Sequence, residues 1–482
     1  MHKSKRKNRE LESRQRLKYV VSDFAMSFVA FLLFNVVRFH LLEPGGDIAS
    51  YIFSTKLLIE ELTVPFVMLG LFWLSGYYNQ PFGKSRLQEM IATFNSAMIG
   101  TALIYLVLLI NDQTGERKIN YEIILYLLTL LFVFPYVGRL SLTISATRLF
   151  RAHRQEYRVM IVGETAQNRM LARRLLEDKS RVSYRIVAFV DIDGIGREGD
   201  NCRSWLQDVE TFEIKDMEKA CVDLGIDQVI IASFERDENR VVEILNVLFP
   251  LDIAVKIAPD TLSYVTSAIR LKDIYGDPFV DLTTPALSES SKNVKRMLDV
   301  VVSLMLLVIL SPILLLIAAM VRKDSQGPAI YRQERIGKKK MPFVIYKFRT
   351  MAVDAEKDGP MLAGSGDPRI TKIGRILRKY RLDELPQFWN VVKGDMSIVG
   401  PRPERKYFID KIIRRAPYYA LVYQVRPGIT SWGMVKYGYA STLEQMVART
   451  KYDLLYMSNM SLFVDMKILI YTIRTVVTGK GM

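Results

Sequence analysis

The stretch 381–403, RLDELPQFWNVVKGDMSIVGPRP, sets two adjacent carboxylates, Asp383 and Glu384, just ahead of Pro386 and ends on an arginine between two prolines. An acidic pair there has an ordinary use: Asp383 would cap free N–H groups of a helix whose first turn holds Pro386. The rest of the chain narrows the chemistry. Its three histidines are His2, His40 and His153, and no cysteine follows Cys221. The C-terminal third therefore offers no Ser-His-Asp or Cys-His arrangement and no His-ligated metal site. A G-x-x-x-x-G-K-[ST] phosphate loop is missing as well. What remains is carboxylates among arginines: Arg349, Arg375, Arg378, Arg381, Arg402 and Arg426. That combination suits phosphoryl transfer. Mg²⁺ takes oxygen ligands and bridges phosphates, arginine grips phosphate oxygens in a fork, and an Asp can act as nucleophile through an acyl phosphate.

The elements that would hold these groups follow from composition. The chain has 482 residues, 50% hydrophobic and 24% charged, a mixture that fits a membrane part joined to water-facing domains. A net charge of +16 makes nucleic acid the first partner to consider. No zinc spacing, RNP-type aromatic motif or basic heptad region supports it, so an anionic lipid surface or a phosphate-bearing substrate is the simpler partner, with no nucleic acid. The two cysteines, Cys202 and Cys221, form no disulfide framework and fit a reducing cytoplasm.

MHKSKRKNRELESRQRLK is too long and charged for a signal-peptide n-region, and no small-residue cleavage site follows; it reads as a cytoplasmic N-terminus against anionic lipid. Four apolar stretches, about Leu17–Leu42, Leu58–Tyr78, Met90–Ile110 and Ile123–Ile144, each approach or exceed the ~20 residues a helix needs to cross a bilayer. Both flanks of the set, the N-terminus and RLFRAHRQEYR, are basic, whereas the loop 43–55 has no basic residue and the loop holding Arg117 and Lys118 is mixed, so four spans with both ends inside are expected. Glu60 and Glu61 either mark a polar path or, the simpler reading, snorkel to the interface.

From Tyr157, YRVMIVG, RIVAFVD, QVIIAS and IAVKIAP alternate with helix-like stretches, the pattern of a Rossmann-like doubly wound parallel sheet. The first turn keeps Gly163 but lacks the next two glycines of G-x-G-x-x-G, which argues against bound NAD despite Asp191 at the end of the second strand. Residues 261–291 read as a connector. Beyond them the uncharged run Val300–Val321 is long enough to span, yet Lys295 and Arg296 precede it, Arg322 and Lys323 follow it, and Ser311-Pro312 breaks its middle. A helix that kinks and returns to the same face satisfies both observations; a kinked spanning helix is the other solution. RITKIGRILRKYRL and SLFVDMKILIYTIRTVV carry apolar stripes suited either to the headgroup layer or to a core.

YKFRTM (346–351), DPRITKIGRILRKYRLDELPQFWNVVKGDMSIVGPRPE (367–404) and VRPGITSWGMV (425–435), behind a hydrophobic segment broken at Ser-Pro, resemble the bacterial sugar transferase family, the monotopic polyprenyl-phosphate sugar-1-phosphate transferases. The likeness covers about Lys292–Met482. The four spans and the middle domain resemble the family's large form, the undecaprenyl-phosphate glucose or galactose phosphotransferases. The resemblance implies four parts: a transmembrane four-helix region (1–150), a cytoplasmic Rossmann-like domain (151–260), the connector (261–291), and a re-entrant helix with a mostly helical catalytic domain (292–482).

It further implies that a UDP-sugar gives its sugar-1-phosphate to undecaprenyl phosphate at the cytoplasmic face of the bacterial inner membrane, releasing UMP and beginning O-antigen, capsule or exopolysaccharide assembly. Asp383 would be the nucleophile, and Glu384 would assist by metal coordination or proton handling. The pair would hold Mg²⁺, or Mn²⁺ in its place, with Asp395 as a further ligand candidate. Arg378 and Arg402, the latter stiffened by Pro401 and Pro403, would meet phosphate or nucleotide. Lys347, Arg349 and Arg426 would line or support the site, while Lys295 and Arg296, with Ser311 and Pro312 at the kink, would seat the lipid phosphate or anchor the helix. A homodimer is expected by analogy. Two departures stand out: Arg381 replaces a small hydroxyl residue before LDELP, and SWGMV replaces a glycine-tryptophan-glutamine run. The rival reading is a catalytically inactive membrane scaffold or regulator of polysaccharide export.

Overall fold

The computed structural model describes residues 2–42, 46–79, 81, 86–109, 117–152, 157–163, 165–177, 184–191, 209–232, 244–245, 247–248, 251, 253–258, 280–281, 287–352, 355, 359, 367–438 and 440–478. Cys202 and most of the expected connector lie outside the described residues.

Helices α1 (His2–Leu42), α2 (Ile48–Ile52), α3 (Thr55–Leu74), α4 (Arg86–Ile104) and α5 (Arg117–Ala152) form the N-terminal part. Four of them, over Glu10–Leu42, Thr55–Leu74, Arg86–Val107 and Lys118–Ala146, are long and apolar enough to cross a membrane. The basic N-terminus is a direct helical extension of the first span. Phe31, Phe34, Met68, Phe72, Leu127 and Leu131 pack between the helices. The bundle also buries charge, which lipid tolerates only when the charge is paired and turned inward. Arg139 is fully buried, donates to Asp23 at 2.8 and 2.7 Å and to Thr93 at 2.8 Å, and lies between the rings of Phe72 and Tyr77. Glu60 and Glu61 do not snorkel. Both are buried, with Asn35 donating to Glu61 at 3.1 Å and Arg38 3.9 Å from Glu60, because partners on α1 draw them into the bundle.

The middle region is a six-stranded sheet of order β3-β2-β1-β4-β5-β6: β1 (Tyr157–Gly163), β2 (Tyr184–Asp191), β3 (Glu210–Glu213), β4 (Gln228–Ile231), β5 (Ala254–Ile257) and β6 (Val280–Asp281). The first five run parallel and β6 is antiparallel. β4 is buried along its whole length, which is why it reads as a continuous apolar run. Helices α6 (Thr165–Glu177) and α7 (Met217–Asp223) lie between strands in sequence. β6 comes from the segment read as a connector, so the sheet extends beyond residue 260.

The C-terminal part begins with α8 (Glu289–Ile309) and α9 (Ser311–Asp324), bent by 64° at the break between them. Ser311 Oγ donates to Val308 O at 2.8 Å, and Pro312 opens α9, where its missing N–H costs nothing. Then follow the hairpin β7 (Ile330–Ile336) and β8 (Pro342–Phe348), helices α10 (Lys372–Lys379) and α11 (Gln387–Lys393), strand β9 (Ser397–Val399), and α12 (Lys406–Arg415). β10 (Gly428–Thr430) pairs parallel with β9, and α13 (Trp432–Lys436), α14 (Leu443–Ser458) and α15 (Leu462–Val477) complete the chain. The apolar stripe of α10 divides: Ile373 and Leu377 pack against α9 and β8, while Ile376 and Tyr380 face outward. On α15, Ile468 is buried and Phe463, Met466, Ile470 and Ile473 are exposed.

Candidate active site

The turn that carries the acidic pair is built from both sides. Thr371 caps α10, its hydroxyl accepting from Gly374 N at 3.0 Å. Gly374 lies against the end of β8, where a Cβ would stand 2.2 Å from Thr350 O. That approach lets Arg378 Nε donate to Thr350 Oγ1 at 2.8 Å. After Tyr380, Arg381 takes the left-handed conformation (φ 54°), uncommon for a side-chain-bearing residue, and a 3₁₀ turn over Leu382–Glu384 follows. Leu382 and Leu385 pack with Ile317, Phe348 and Leu377. With the leucines held inward, Asp383 and Glu384 line a cavity of about 830 Å³. The capping role does not form: Pro386 is the N-cap of α11, and no side chain bonds to that helix end.

The two carboxylates are not equivalent. Glu384 receives Lys347 Nζ from β8 at 2.8 Å and Arg402 at 3.2 Å, with Arg381 at 3.7 Å. Asp383 makes no hydrogen bond or ion pair among the described residues. Burial and then the Glu384 charge push the Asp383 carboxyl up to about 6, against the pull of Lys347, Arg378 and Arg402. Burial would raise Glu384 too, but Lys347, Arg402 and Arg381 outweigh it and hold that carboxyl well below its ordinary range. Burial also lowers Lys347, with Arg402 pushing the same way against Glu384. One carboxylate is thus committed to gathering cations and its neighbour is left open.

Ten arginines and Lys347 line the cavity against three carboxylates, Asp383, Glu384 and Glu404, so it suits a polyanion. Lys347, Arg349, Arg378 and Arg402 are all on its wall. Arg349, however, spends its guanidinium on the carbonyls of Gln326 and Ser325 at 2.6 and 2.7 Å, closing the loop after α9. Pro401 and Pro403 are buried beside Arg402; the Pro401 carbonyl accepts from Gly428 N at 2.9 Å and that of Pro403 from Arg335 at 3.1 Å. Arg402 also reaches Met434 Sδ at 3.1 Å, in the departing SWGMV run.

Other expected residues lie apart from the wall. Arg426 donates to Gly394 O at 3.0 Å, and Asp395 pairs with Lys393 at 3.3 Å. Lys295 is tied to Asp465 at 2.7 Å and Asp299 at 3.7 Å. Arg296 donates to the carbonyls of Val391 and Val392 at 2.8 and 3.2 Å, holding the end of α11. Both therefore anchor α8 to the protein interior. Ser311 and Pro312 form the bend already described.

Several wall residues carry no signal in the sequence. Arg335 on β7 and Arg449 on α14 converge on Glu404, at 3.3 Å for Arg335, and neither stands in a motif. No group of three His, Cys, Asp or Glu side chains gathers for a metal among the described residues. The residues present fit an ion held by one or two carboxylates and completed by phosphate and water, as Mg²⁺ is. Asp383 has oxygens to offer it, whereas Glu384 Oε1 is engaged by Lys347 and Arg402 and Oε2 lies 3.7 Å from Arg381.

Comparison with known proteins agrees with this geometry. Residues 290–479 match the family model described as bacterial sugar transferase. The chain is 42% identical over 188 residues to a UDP-N-acetylgalactosamine-undecaprenyl-phosphate N-acetylgalactosaminephosphotransferase of Aeromonas hydrophila, covering 39% of this chain and 44% of the relative. It is 38% identical over 250 residues to a UDP-glucose:undecaprenyl-phosphate glucose-1-phosphate transferase of Klebsiella pneumoniae, covering 52% and 54%. The chain thus spans about half the length of these two relatives. A UDP-glucose:undecaprenyl-phosphate glucose-1-phosphate transferase of Caulobacter vibrioides is 44% identical over 188 residues, 38% of this chain and 70% of the relative. With the matched region containing the acidic pair, its cavity and the bent helix pair, the chain belongs to the bacterial sugar transferase family.

Proposed function

We propose that this protein transfers a sugar-1-phosphate from a UDP-sugar to undecaprenyl phosphate, releasing UMP, at the cytoplasmic face of the bacterial inner membrane, as the first membrane step of a polysaccharide's assembly. The observation that carries the reading is the division of labour in the acidic pair: Asp383 open to a cationic cavity, Glu384 bound by Lys347 and Arg402. In the reaction, an Asp383 carboxylate oxygen attacks the sugar-bearing phosphorus. The bond from that phosphorus to the bridging oxygen breaks, and UMP leaves with the electron pair. The phosphosugar is then an acyl phosphate on Asp383. A phosphate oxygen of the lipid attacks the same phosphorus, the bond to Asp383 breaks, and the carboxylate is restored with the sugar on a lipid diphosphate. No net proton is consumed when lipid phosphate and UMP are both dianions.

Lys347, Arg378 and Arg402 would spread the charge that develops on the phosphate oxygens, in a buried setting where fixed cations act strongly. Mg²⁺, or Mn²⁺ in its place, would neutralise the donor diphosphate and would be held by Asp383 and by phosphate oxygens, with Glu384 beside it. The 64° bend and the basic residues at both ends of the α8–α9 pair support a helix that re-enters the same face. The five parallel strands support a Rossmann-like middle domain, and the missing glycines after Gly163 argue against bound NAD there. A homodimer follows from the resemblance and is tested by mass measurement in nanodiscs. UMP release from a panel of UDP-sugars with undecaprenyl phosphate and Mg²⁺ tests the reaction: repeated turnover that depends on lipid phosphate supports it, and no release from any UDP-sugar contradicts it.

A further inference from the structure

The cavity wall has two parts of different character, set in separate cores. One is formed by Ala318 and Arg322 on α9, the helix that leaves the apolar segment. The other, on α12, α14 and the chain before α14, is formed by Phe408, Met446 and Ala440. These three belong to a core shared with Ile412 and Tyr419, so that wall is fixed. Asp383 and Glu384 line the same cavity, on the turn whose Leu382 and Leu385 pack in the core that Ala318 joins. Arg402 binds Glu384, and three residues on, Arg405 also lines the cavity. Residues 401–405 belong to no helix or strand, and Arg405 is extended (φ −76°, ψ 143°). Three residues of chain span at most about 10 Å, so the Arg405 backbone stays within that distance of the Arg402 backbone.

Chemistry chooses among occupants for the second part. A prenyl chain would need an apolar path to lipid, and α9, in the other part of the wall, belongs to the apolar bent pair that offers one. A sugar would present many hydroxyls that need acceptors. The carboxylate there, Glu404, has one oxygen held by Arg449 and the other by Arg335 at 3.3 Å. A flat, weakly polar base suits an apolar wall with guanidiniums beside it.

Resting on the reading above, we infer that the Phe408–Ala440–Met446 part of the cavity is the nucleoside subsite, taking the pyrimidine base and ribose of the donor while the cations beside Asp383 and Glu384 take its diphosphate.

The test uses full-length protein in nanodiscs, with UDP and inorganic diphosphate as probes and no lipid substrate. Met446→Trp and Ala440→Phe fill this part. Each is expected to weaken UDP binding at least tenfold by calorimetry and to raise the KM for UDP-sugar, leaving the KM for undecaprenyl phosphate and inhibition by inorganic diphosphate unchanged. Retained inhibition by diphosphate shows that the phosphate half is folded. A second measurement needs no disruptive variant. With methyl-labelled methionine, the Met446 resonance, assigned with Met446→Leu, moves on addition of UDP and stays in place with inorganic diphosphate. UDP affinity unchanged in both variants, or a Met446 resonance that ignores UDP or answers equally to diphosphate, overturns the subsite. If the parent protein binds no UDP at all, the UDP-sugar reading fails with it. If the filled variants change sugar preference with UDP affinity intact, this part holds the sugar and the assignment is wrong.

Discussion

At the scale of residues, Asp383 and Glu384 are neighbours with opposite electrostatic fates. Glu384 is held ionised by Lys347, Arg402 and Arg381, whereas burial and the Glu384 charge raise Asp383 to about 6. A carboxyl attacks phosphorus only when ionised, and with that value roughly nine-tenths is ionised at pH 7 and about a tenth at pH 5. The donor kcat/KM, measured as UMP formed in the first half-reaction without lipid, should therefore fall about tenfold from pH 7 to pH 5. A flat profile over that range would remove Asp383 as the titrating nucleophile. Glu384→Gln keeps the shape but removes the charge that gathers Lys347 and Arg402; donor kcat/KM should drop at least about tenfold, as charged hydrogen bonds are lost. The D-E pair, Arg378, Arg402 and Lys347 were legible in the sequence because they stand in one motif or in short runs near it. Arg335 and Arg449 were not, since the direction of a surface-type charge is set by tertiary packing. Arg426 shows the converse: a promising arginine turned to the Gly394 carbonyl.

At the scale of elements, the site depends on how closely β8 and α10 approach. Gly374→Ala would drive a methyl to 2.2 Å from Thr350 O, so the Arg378–Thr350 bond must give way. Overpacking of this kind costs about 1–3 kcal/mol, and a lowered melting midpoint together with weaker binding of inorganic diphosphate should report it. In the membrane bundle, Arg139→Ala leaves Asp23 buried without its partner. Removal of one member of a buried pair costs about 3–5 kcal/mol. Unfolding in detergent should show that loss, with partial recovery in the Arg139→Ala/Asp23→Leu double variant; an unchanged midpoint for Arg139→Ala would contradict the pairing. The four spans and the first, second, fourth and fifth strands were legible from apolar runs. β3, with the sequence ETFE, and β6, of two residues, lack both a run and an alternation; they exist because β2 and β5 offer unpaired edges. Glu60 and Glu61 were misread because their partners, Arg38 and Asn35, lie on another helix.

At the scale of the whole molecule, the membrane bundle is docked on the catalytic region. Asn79, after α3, donates to Glu289 at 2.8 Å and Asn293 at 3.2 Å, and Asn293 returns a bond to Trp73 O at 2.5 Å. Gly76 permits the contact: its φ is +78°, and a Cβ there would meet the Glu289 backbone at 2.7 Å. Gly76→Val should lower the melting midpoint of the full chain while UDP binding stays near the parent value; an unchanged midpoint would mean that the contact contributes little. No sequence pattern announced this contact, which joins residues more than 200 positions apart. Catalysis centres on a covalent step at Asp383, and UMP release by the parent protein and by Asp383→Asn, side by side with the UDP-sugar it uses, tests that step most directly. Release is expected from the parent and none from the variant, with UDP binding retained in both. Release by Asp383→Asn at the parent's rate would contradict the covalent step.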